Sequence, residues 1–543
     1  MSKTHPFSIY LLKEGFDAAN SLKAGHGLKD SFDADNIPEG ASIFILDSIP
    51  KEPWWKNYFG VKGNLKQTIK GAILFLNVKE RHFAITFGHT HHHLKDECYE
   101  YDFGLRVTLN SLDPDKLKST DTLEPEKAKR QRIQSPVDSD LTYFDFDRDS
   151  SIIKTLTGKV KNEYKNIFKH ATGASSLRIG LSVEPDKLNE LCQNTLDIYN
   201  KEDFKAAFPD IQNIIPIKDP EIIKQLDFLL IQAFKNNSID LVLTIPEIVN
   251  YQDSLSITFT GVGQSLMYED VYISYYRDYL LSHEYKADDF SIDILKSHQL
   301  NICNDDGSTK EKFSIYKSLL YDTSLDSCCY HFCEGNWYQI EKSYIDKLKR
   351  YLDPYFENTN LIDFNHNSER AYNNAIASND SKYICLDCTN ISPVGQRQVE
   401  PCDLYKVEDG IAIYSHVKLS TRSASLSHLF NQGVNSIELI KVEDSTKEKM
   451  INLVKENLNG NSAKDYIKSI EDDISKVIYI IITHKDENNK SDNLPLFSRI
   501  SLMRSIKSLK LMSVKAAVCF VKDLSPKKDG RKKERSKKEQ ANA

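Results

Sequence analysis

The stretch "QVEPCDLYKVEDGIAIYSHVK", residues 398–418, places Glu400 and Asp403 before a short turn and His416 and Lys418 after it. Carboxylates, an imidazole and an amine drawn partly out of water must be paired or must do chemistry, because an unpaired buried charge is costly. Alternation along the second arm puts Tyr414, His416 and Lys418 on one face, with Ile411, Ile413, Val417 and Leu419 on the other. On the first arm Asp403 shares its face with Val399 and Pro401, while Glu400 points the opposite way unless Pro401 bends the strand. Asp403 and Lys418 are therefore expected to meet at the open end of a hairpin. Upstream, Glu369, Tyr372, Asn373 and Ile376 share a helix face; downstream, Ser425, His428 and Gln432 form a polar stripe opposite Leu426, Leu429 and Phe430. A helix, three strands and a second helix so deliver Glu369, Asp403, His416, Lys418 and Gln432 in order.

This order resembles the PD-(D/E)xK restriction-endonuclease-like fold. There, a helix acid, an Asp on the second strand and an acid-x-Lys on the third surround a magnesium ion. Carried over by position, the resemblance implies Glu369 and Asp403 as metal ligands and Lys418 as the group that orients or activates water. It also places Gln432 on the helix that adds a polar residue to the site. Mg²⁺, or Mn²⁺, would be the cofactor: carboxylates hold a hard cation through oxygen, and the ion polarises the phosphodiester and acidifies its water. The sequence departs from that pattern at His416, which stands where the fold carries an acid. Histidine binds softer metals or serves as a general base, and Glu400 is the candidate for the missing carboxylate. The alternative is a hairpin with an internal Asp–Lys pair and no catalysis. His416-x-Lys418 is also half of a phospholipase D motif, but that motif wants an Asp where Ser423 stands.

Other chemistry-bearing clusters are less complete. In "GHTHHHL", strand alternation would bring His89, His91 and His93 together on a metal; a solvated cluster is the alternative. "CLDC" (Cys385, Cys388) lacks a second CxxC, and "CCYHFC" (Cys328, Cys329, His331, Cys333) would add ligands if it lay nearby; otherwise these are buried, reduced thiols. Gly261 and Gly263 in "GVGQSL", and "TGK" at Gly158–Lys159, lack the remaining positions of a phosphate loop. Trp54, Trp55 and Trp337 are expected to pack in cores, although an exposed "WWKNYF" would suit base stacking.

The elements that must position these residues are legible as an α+β multidomain chain. Its 543 residues, 40% hydrophobic and 27% charged, can build about three to four domains without disulfides. Residues 1–165 read as a β-rich N-terminal domain: "FSIYLL", "ASIFILDSI", "GAILFLNV" and "HFAITFG" are strand runs, with "YDFGLRVTLN" continuing them and residues 110–150 forming a surface excursion. Residues 166–354 read as a mixed middle domain, with helices at "VEPDKLNELCQNTLDIYN" and "DPEIIKQLDFLLIQAFKN". Strands follow at "LSITFTG", "DVYISYY" and "CYHFCEGNWYQI", and the helix "KSYIDKLKRYLDPY" ends at Pro354. Residues 355–522 read as an α/β domain: helix 366–378, strand 382–390, hairpin 397–420, helix 423–432, strand 434–441, a helix from 445, a buried strand at 476–484 and a last pair over 496–521.

Net charge is −7, but the disordered tail expected over 523–543 carries, from Lys527 on, eight basic and three acidic residues, leaving about −12 for the body. It would hold phosphates by charge or serve as a solubilising end. The N-terminus has no apolar run with a small-residue cleavage site, and nowhere do 18 apolar residues run together, so a cytoplasmic protein off the membrane is expected.

Several stretches together ("FSIYLLKEG", "YDFGLRVTLN", "GASSLRI", "EGNWYQI", "ERAYNNA", "VEPCDLY" and "SHVKLSTRSASLSHLFNQG") resemble a bacterial family of "sporadically distributed" proteins of unknown function. The resemblance implies shared architecture and an accessory gene, which fits anti-phage defence, but no established chemistry. The expected function is metal-dependent cleavage of DNA or RNA. The alternatives are a non-catalytic nucleic-acid-binding sensor, or a structural subunit of a defence complex with partner proteins or copies of itself.

Overall fold

Alternation of period two organises the N-terminal unit. The strands His5–Leu11, Lys70–Val78 and Arg81–Phe87 send Ile9, Leu11, Leu74, Leu76, Phe83 and Ile85 to one face and Tyr10, Ile73, Phe75 and Ala84 to the other. Both faces are covered, which is why these runs are apolar throughout. The computed structural model describes residues 4–30, 34–124, 129–144, 152–208, 214–238, 241–249, 256–263, 265–286, 289–304, 307–326, 328–340, 342–393, 398–419, 423–458 and 461–525. Of the disordered tail expected over 523–543, residues 523–525 are instead bonded to the fold, the Asp523 and Leu524 amides donating to the Thr483 and Phe364 carbonyls at 2.9 and 2.8 Å, and the remainder lies outside the described residues.

The chain divides into two compact units, Met1–Glu124 with Arg130–Gln212, and Pro125–Lys129 with Asn213–Ala543. In the first, nine strands among the described residues form one sheet in the order Ser42–Asp47, Lys70–Val78, Arg81–Phe87, His5–Leu11, Leu177–Leu181, His170–Gly173, Ile152–Val160, Leu112–Glu124, Lys129–Ser139. "YDFGLRVTLN" is not a strand: Phe103–Ser111 is a helix whose Phe103 and Val107 pack with Leu188, Leu191 and Leu196 of the helix Leu188–Tyr199. Its close seat on the sheet needs glycine. A Cβ on Gly104 would lie 2.0 Å from the Ser176 carbonyl oxygen, and one on Gly173 would lie 2.0 Å from the Gly104 carbonyl oxygen. The expected surface excursion supplies two strands of the sheet. The sheet also continues past residue 165, so the expected first boundary moves to about residue 212.

Among its described residues the second unit holds three sheets. One is antiparallel, ordered Ile214–Pro216, Asn336–Ile340, Cys328–Cys333, Leu319–Leu325, Val242–Leu243; another pairs Ser256–Thr260, Gln299–Cys303 and Thr309–Ser314. The stretch expected as the strand "DVYISYY" forms the helix Ile273–Ser282, burying Tyr276, Tyr279 and Leu280 at helical spacing. The third sheet is mixed, in the order Ile384–Cys385, Leu404–Glu408, Ile411–Lys418, Ser475–Thr483, Lys515–Lys522. Its first three strands are antiparallel and its last three parallel. Parallel pairing needs crossovers, which are supplied by Ser423–Val442, Asp444–Asn457 and Asn461–Glu471, and then by Leu496–Leu511.

The strand expected at 434–441 is instead the second half of the helix Ser423–Val442. The helix Lys342–Leu352 buries Tyr344, Leu348 and Leu352 in the core of the mixed sheet, so it belongs with that module despite the boundary expected at 354. The whole is a mixed α+β architecture, and no helix among the described residues is long and apolar enough to cross a membrane.

Candidate metal centre

The hairpin turns at Asp409 and Gly410, with φ of 51° and 73°. Two consecutive positive values are the signature of the two-residue turn that Asp-Gly favours, and this turn fixes the register Glu408↔Ile411 through Leu404↔Ser415. Beyond Leu404 the ladder changes partners. The Asp403 amide donates to the Ser415 carbonyl at 3.0 Å and the Leu386 amide to the Asp403 carbonyl at 2.9 Å. The Val417 amide, left without a strand partner, donates to Asp403 Oδ2 at 2.7 Å.

Glu369 arrives from the opposite direction. Ser368 caps its helix, Glu369–Asn379, by accepting from the Ala371 amide at 3.1 Å, which sets Glu369 in the first turn. Buried Tyr372, Asn373 and Ile376 fix the rotation of the helix, and the Tyr372 hydroxyl donates to the Ile362 carbonyl at 2.7 Å. Glu369 thereby faces the end of the second hairpin arm. Its Oε1 accepts from the Leu419 amide at 2.8 Å and its Oε2 from Lys418 Nζ at 3.0 Å. Lys418 thus pairs with Glu369 rather than with Asp403.

Two further carboxylates complete the cluster. Glu400 Oε2 accepts from Gln432 Nε2 at 2.9 Å, which brings the helix Ser423–Val442 to the site as its polar stripe implied. Asp387 lies in the turn after the short strand Ile384–Cys385, where Cys388 has φ 64°. Asn373, fully buried one turn along the helix from Glu369, donates its Nδ2 to Asp387 Oδ2 at 3.4 Å, and its Oδ1 has no partner among the described residues.

Among the described residues, the group whose ligand atoms lie within 4.8 Å of one another is Asp387, Cys388 and Glu400. The three expected ligands are therefore divided: Glu400 is in this group, while Glu369 and Asp403 flank it. Sequence spacing does not single out Asp387, which lies between the two thiols of "CLDC". The signal available was an acid directly beyond a strand end, the position from which side chains reach over a sheet edge.

The electrostatics of the cluster are those of crowded negative charge. Burial, and then the neighbouring Asp387, Glu400 and Glu369, push the Asp403 carboxyl up to about 7 against the opposing pull of the Val417 amide. The hydrogen bond to Asp387 raises the Cys388 thiol, so it stays protonated at neutral pH and leaves oxygen as the dominant donor. Among the described residues the one cation hydrogen-bonded to any of the four carboxylates is Lys418, and it bonds to Glu369 alone. Such a donor set suits a hard divalent ion.

His416 departs from its expected place. It is fully buried beside Tyr479, neither ring nitrogen has a partner among the described residues, and burial holds it down at about 3. A neutral imidazole sealed from solvent has no route for exchanging a proton with substrate or water. The other clusters do not converge. His91–His93 form a 3₁₀ turn rather than a strand, and burial lowers His93 to about 4. His331 is engaged with Asp322 at 2.6 Å. Trp337 is buried as expected, but Trp55 is exposed.

The profile described as a family of unknown function (DUF6119) matches residues 7–522. No curated protein and no solved structure matches the chain. The protein is, over that span, a member of the DUF6119 family.

Proposed function

We propose that the mixed-sheet module, Lys342–Lys522, is a divalent-cation-dependent phosphodiesterase acting on nucleic acid. The observation that carries this reading is the gathering of Asp387, Glu400 and Glu369 about Asp403, whose carboxyl is pushed up to about 7, with Lys418 bonded to Glu369 at the edge of the cluster. Like charges drawn together at a cost to their ionisation are a mark of sites built for a cation. The order of helix, antiparallel hairpin and parallel crossover strands is also the order of the restriction-endonuclease-like fold, which supports the same reading.

Asp387 and Glu400 would hold Mg²⁺ or Mn²⁺, with Asp403 supplying its free Oδ1 and Glu369 closing the far side. The ion would supply a polarised phosphoryl oxygen and an acidified water. Asp403, protonated in part at neutral pH, would take up or release the proton that the water loses. Lys418, half exposed at the strand end, would stabilise the charge that develops on the phosphoryl oxygens. Gln432 would orient Glu400, and His416 has no role beyond packing. The resemblance to "sporadically distributed" bacterial proteins, and with it a place in anti-phage defence, is consistent with such an activity.

A second reading has its own observation. Both oxygens of Glu369 are occupied, by Lys418 and the Leu419 amide. A nuclease-like module locked in that pairing would bind nucleic acid without cutting it. Incubation with plasmid DNA and with RNA in Mg²⁺ or Mn²⁺ separates the two. Cutting by the parent, lost in Asp387→Ala and Lys418→Ala, supports the enzyme; salt-sensitive binding without cutting supports the sensor.

A further inference from the structure

Between the strands Ser42–Asp47 and Lys70–Val78 the chain makes an excursion, Ile49–Lys70, that the nine-stranded sheet does not need. Its neck is tied. The Lys51 amide donates to the Gln67 carbonyl at 3.0 Å, the Gln67 amide returns to the Lys51 carbonyl at 2.9 Å, and the Ile69 amide donates to Ser48 Oγ at 2.6 Å. Beyond the neck every residue from Asn57 to Lys70 is exposed. The exposed side chains are not the polar ones of an ordinary loop. Tyr58 is 74% exposed, Phe59 69% and Trp55 39%, with Tyr58 and Phe59 edge to face at 4.9 Å. Large apolar side chains clustered in solvent mark an interaction surface.

The charge of the excursion names the partner. Lysines stand at 51, 56, 62, 66 and 70, against the single acid Glu52, in a protein of net charge −7. Lys56 pairs with Glu52 and Lys70 with Asp47. Lys51, Lys62 and Lys66 have no acidic partner among the described residues. We propose that this excursion is a landing surface for single-stranded nucleic acid, with Trp55, Tyr58 and Phe59 stacking on bases while the lysines hold the phosphates between them. Aromatic faces interleaved with cations are what a single strand requires, and every base offers a face to stack. The helix here, Trp54–Tyr58, is five residues long, too short for the amphipathic face by which a chain lies on a lipid surface. The tied neck holds the rings in place before binding, so little ordering remains to oppose it.

The test uses the full chain with oligo(dT) and oligo(U) in EDTA, so that any cleavage in the mixed-sheet module has no bearing on the result. Trp337 is 1% exposed and serves as the unresponsive reference. The expected result is quenching of tryptophan fluorescence on binding, reduced in Trp55→Phe. Phe59→Ala should weaken binding by about 5- to 150-fold. Replacing Lys51, Lys62 and Lys66 by Gln should lower the slope of log affinity against log salt by about 2. These side chains lie in solvent, and unchanged melting would show that the variants fold. Oligonucleotide binding that is the same in parent, Phe59→Ala and the lysine variant, without quenching, overturns the proposal. So does binding to phosphatidylserine vesicles that the same variants abolish while oligonucleotide affinity stays constant.

Discussion

Replacing Asp403 by Asn should change the pH dependence of stability in a defined direction. The carboxyl titrates near 7 in the folded protein, against an ordinary value of 3.8, chiefly because it is buried and then because Asp387, Glu400 and Glu369 surround it. Between those values the folded state holds a proton that the unfolded chain has lost, so this group makes folding less favourable as pH rises from about 4 to about 7. A difference of about three units corresponds to about 4 kcal/mol. Asparagine keeps an oxygen for the Val417 amide but cannot ionise. The gain of Asp403→Asn over the parent should therefore be small near pH 4 and grow to about 4 kcal/mol by pH 8 in the absence of divalent ions.

The difference must be taken between proteins rather than read from one curve. His416, held near 3, refuses a proton that the unfolded chain accepts, so its contribution falls as pH drops from about 6.5 toward 3. The two groups oppose each other over most of the same window and flatten the parent profile. Calorimetric melting of both proteins from pH 4 to 8 in EDTA provides the assay. For a module of this size the gain is about 8–16 °C in its transition at pH 8. A difference that does not vary with pH, or a variant less stable than the parent at pH 8, would refute the electrostatic account of the cluster.

Three other perturbations probe separate links. His416→Leu removes two unpartnered buried nitrogens, so it should protect the fold by up to about 5 kcal/mol as pH falls below 6.5, with cleavage unchanged; acid-denaturation curves and a nuclease assay check both halves. Lys418→Ala should slow cleavage by about 10²- to 10³-fold while leaving Mn²⁺ affinity within a few-fold of the parent, as rate and binding measurements on one preparation would show. Gly433→Ala should destabilise the mixed-sheet module by about 1–3 kcal/mol, read by urea unfolding. Its new Cβ would lie 2.7 Å from the ring of Tyr479, which is fully buried with its hydroxyl on the Phe430 carbonyl.

Where local pattern and final environment agree, the elements were legible. The hairpin of Leu404–Glu408 and Ile411–Lys418, the helices near 188–199 and 220–235 and the buried strand at 475–483 all follow from their apolar spacing and turn residues. The misreadings share a cause. Val107, Thr108 and Leu109 favour a strand in isolation, but Gly104 and Gly173 let the segment lie as a helix directly on the sheet. Gly433 suggests the end of a helix, yet it is the gap into which Tyr479 fits. In both cases a contact distant in sequence decides the outcome, and local propensity yields to it.

The candidate site divides in the same way. Helix spacing placed Glu369, Tyr372 and Asn373 on one face, and the stripe ending at Gln432 reached Glu400. Strand parity suggested an Asp403–Lys418 contact, but the ladder shifts at Asp403, and its carboxylate turns to the Val417 amide while Lys418 reaches Glu369. Asp387 joins only through the turn at Cys388, a backbone feature with no local sequence pattern behind it.

The central claim is that four acids gather here to hold a divalent ion. Electron paramagnetic resonance of Mn²⁺ titrated into the protein tests it most directly, because the free ion gives the signal and the bound ion loses it. The account predicts one ion taken up per chain, with uptake abolished by Asp387→Ala together with Glu400→Ala and retained in His416→Leu. No uptake by the parent, or uptake indifferent to loss of both carboxylates, would contradict it.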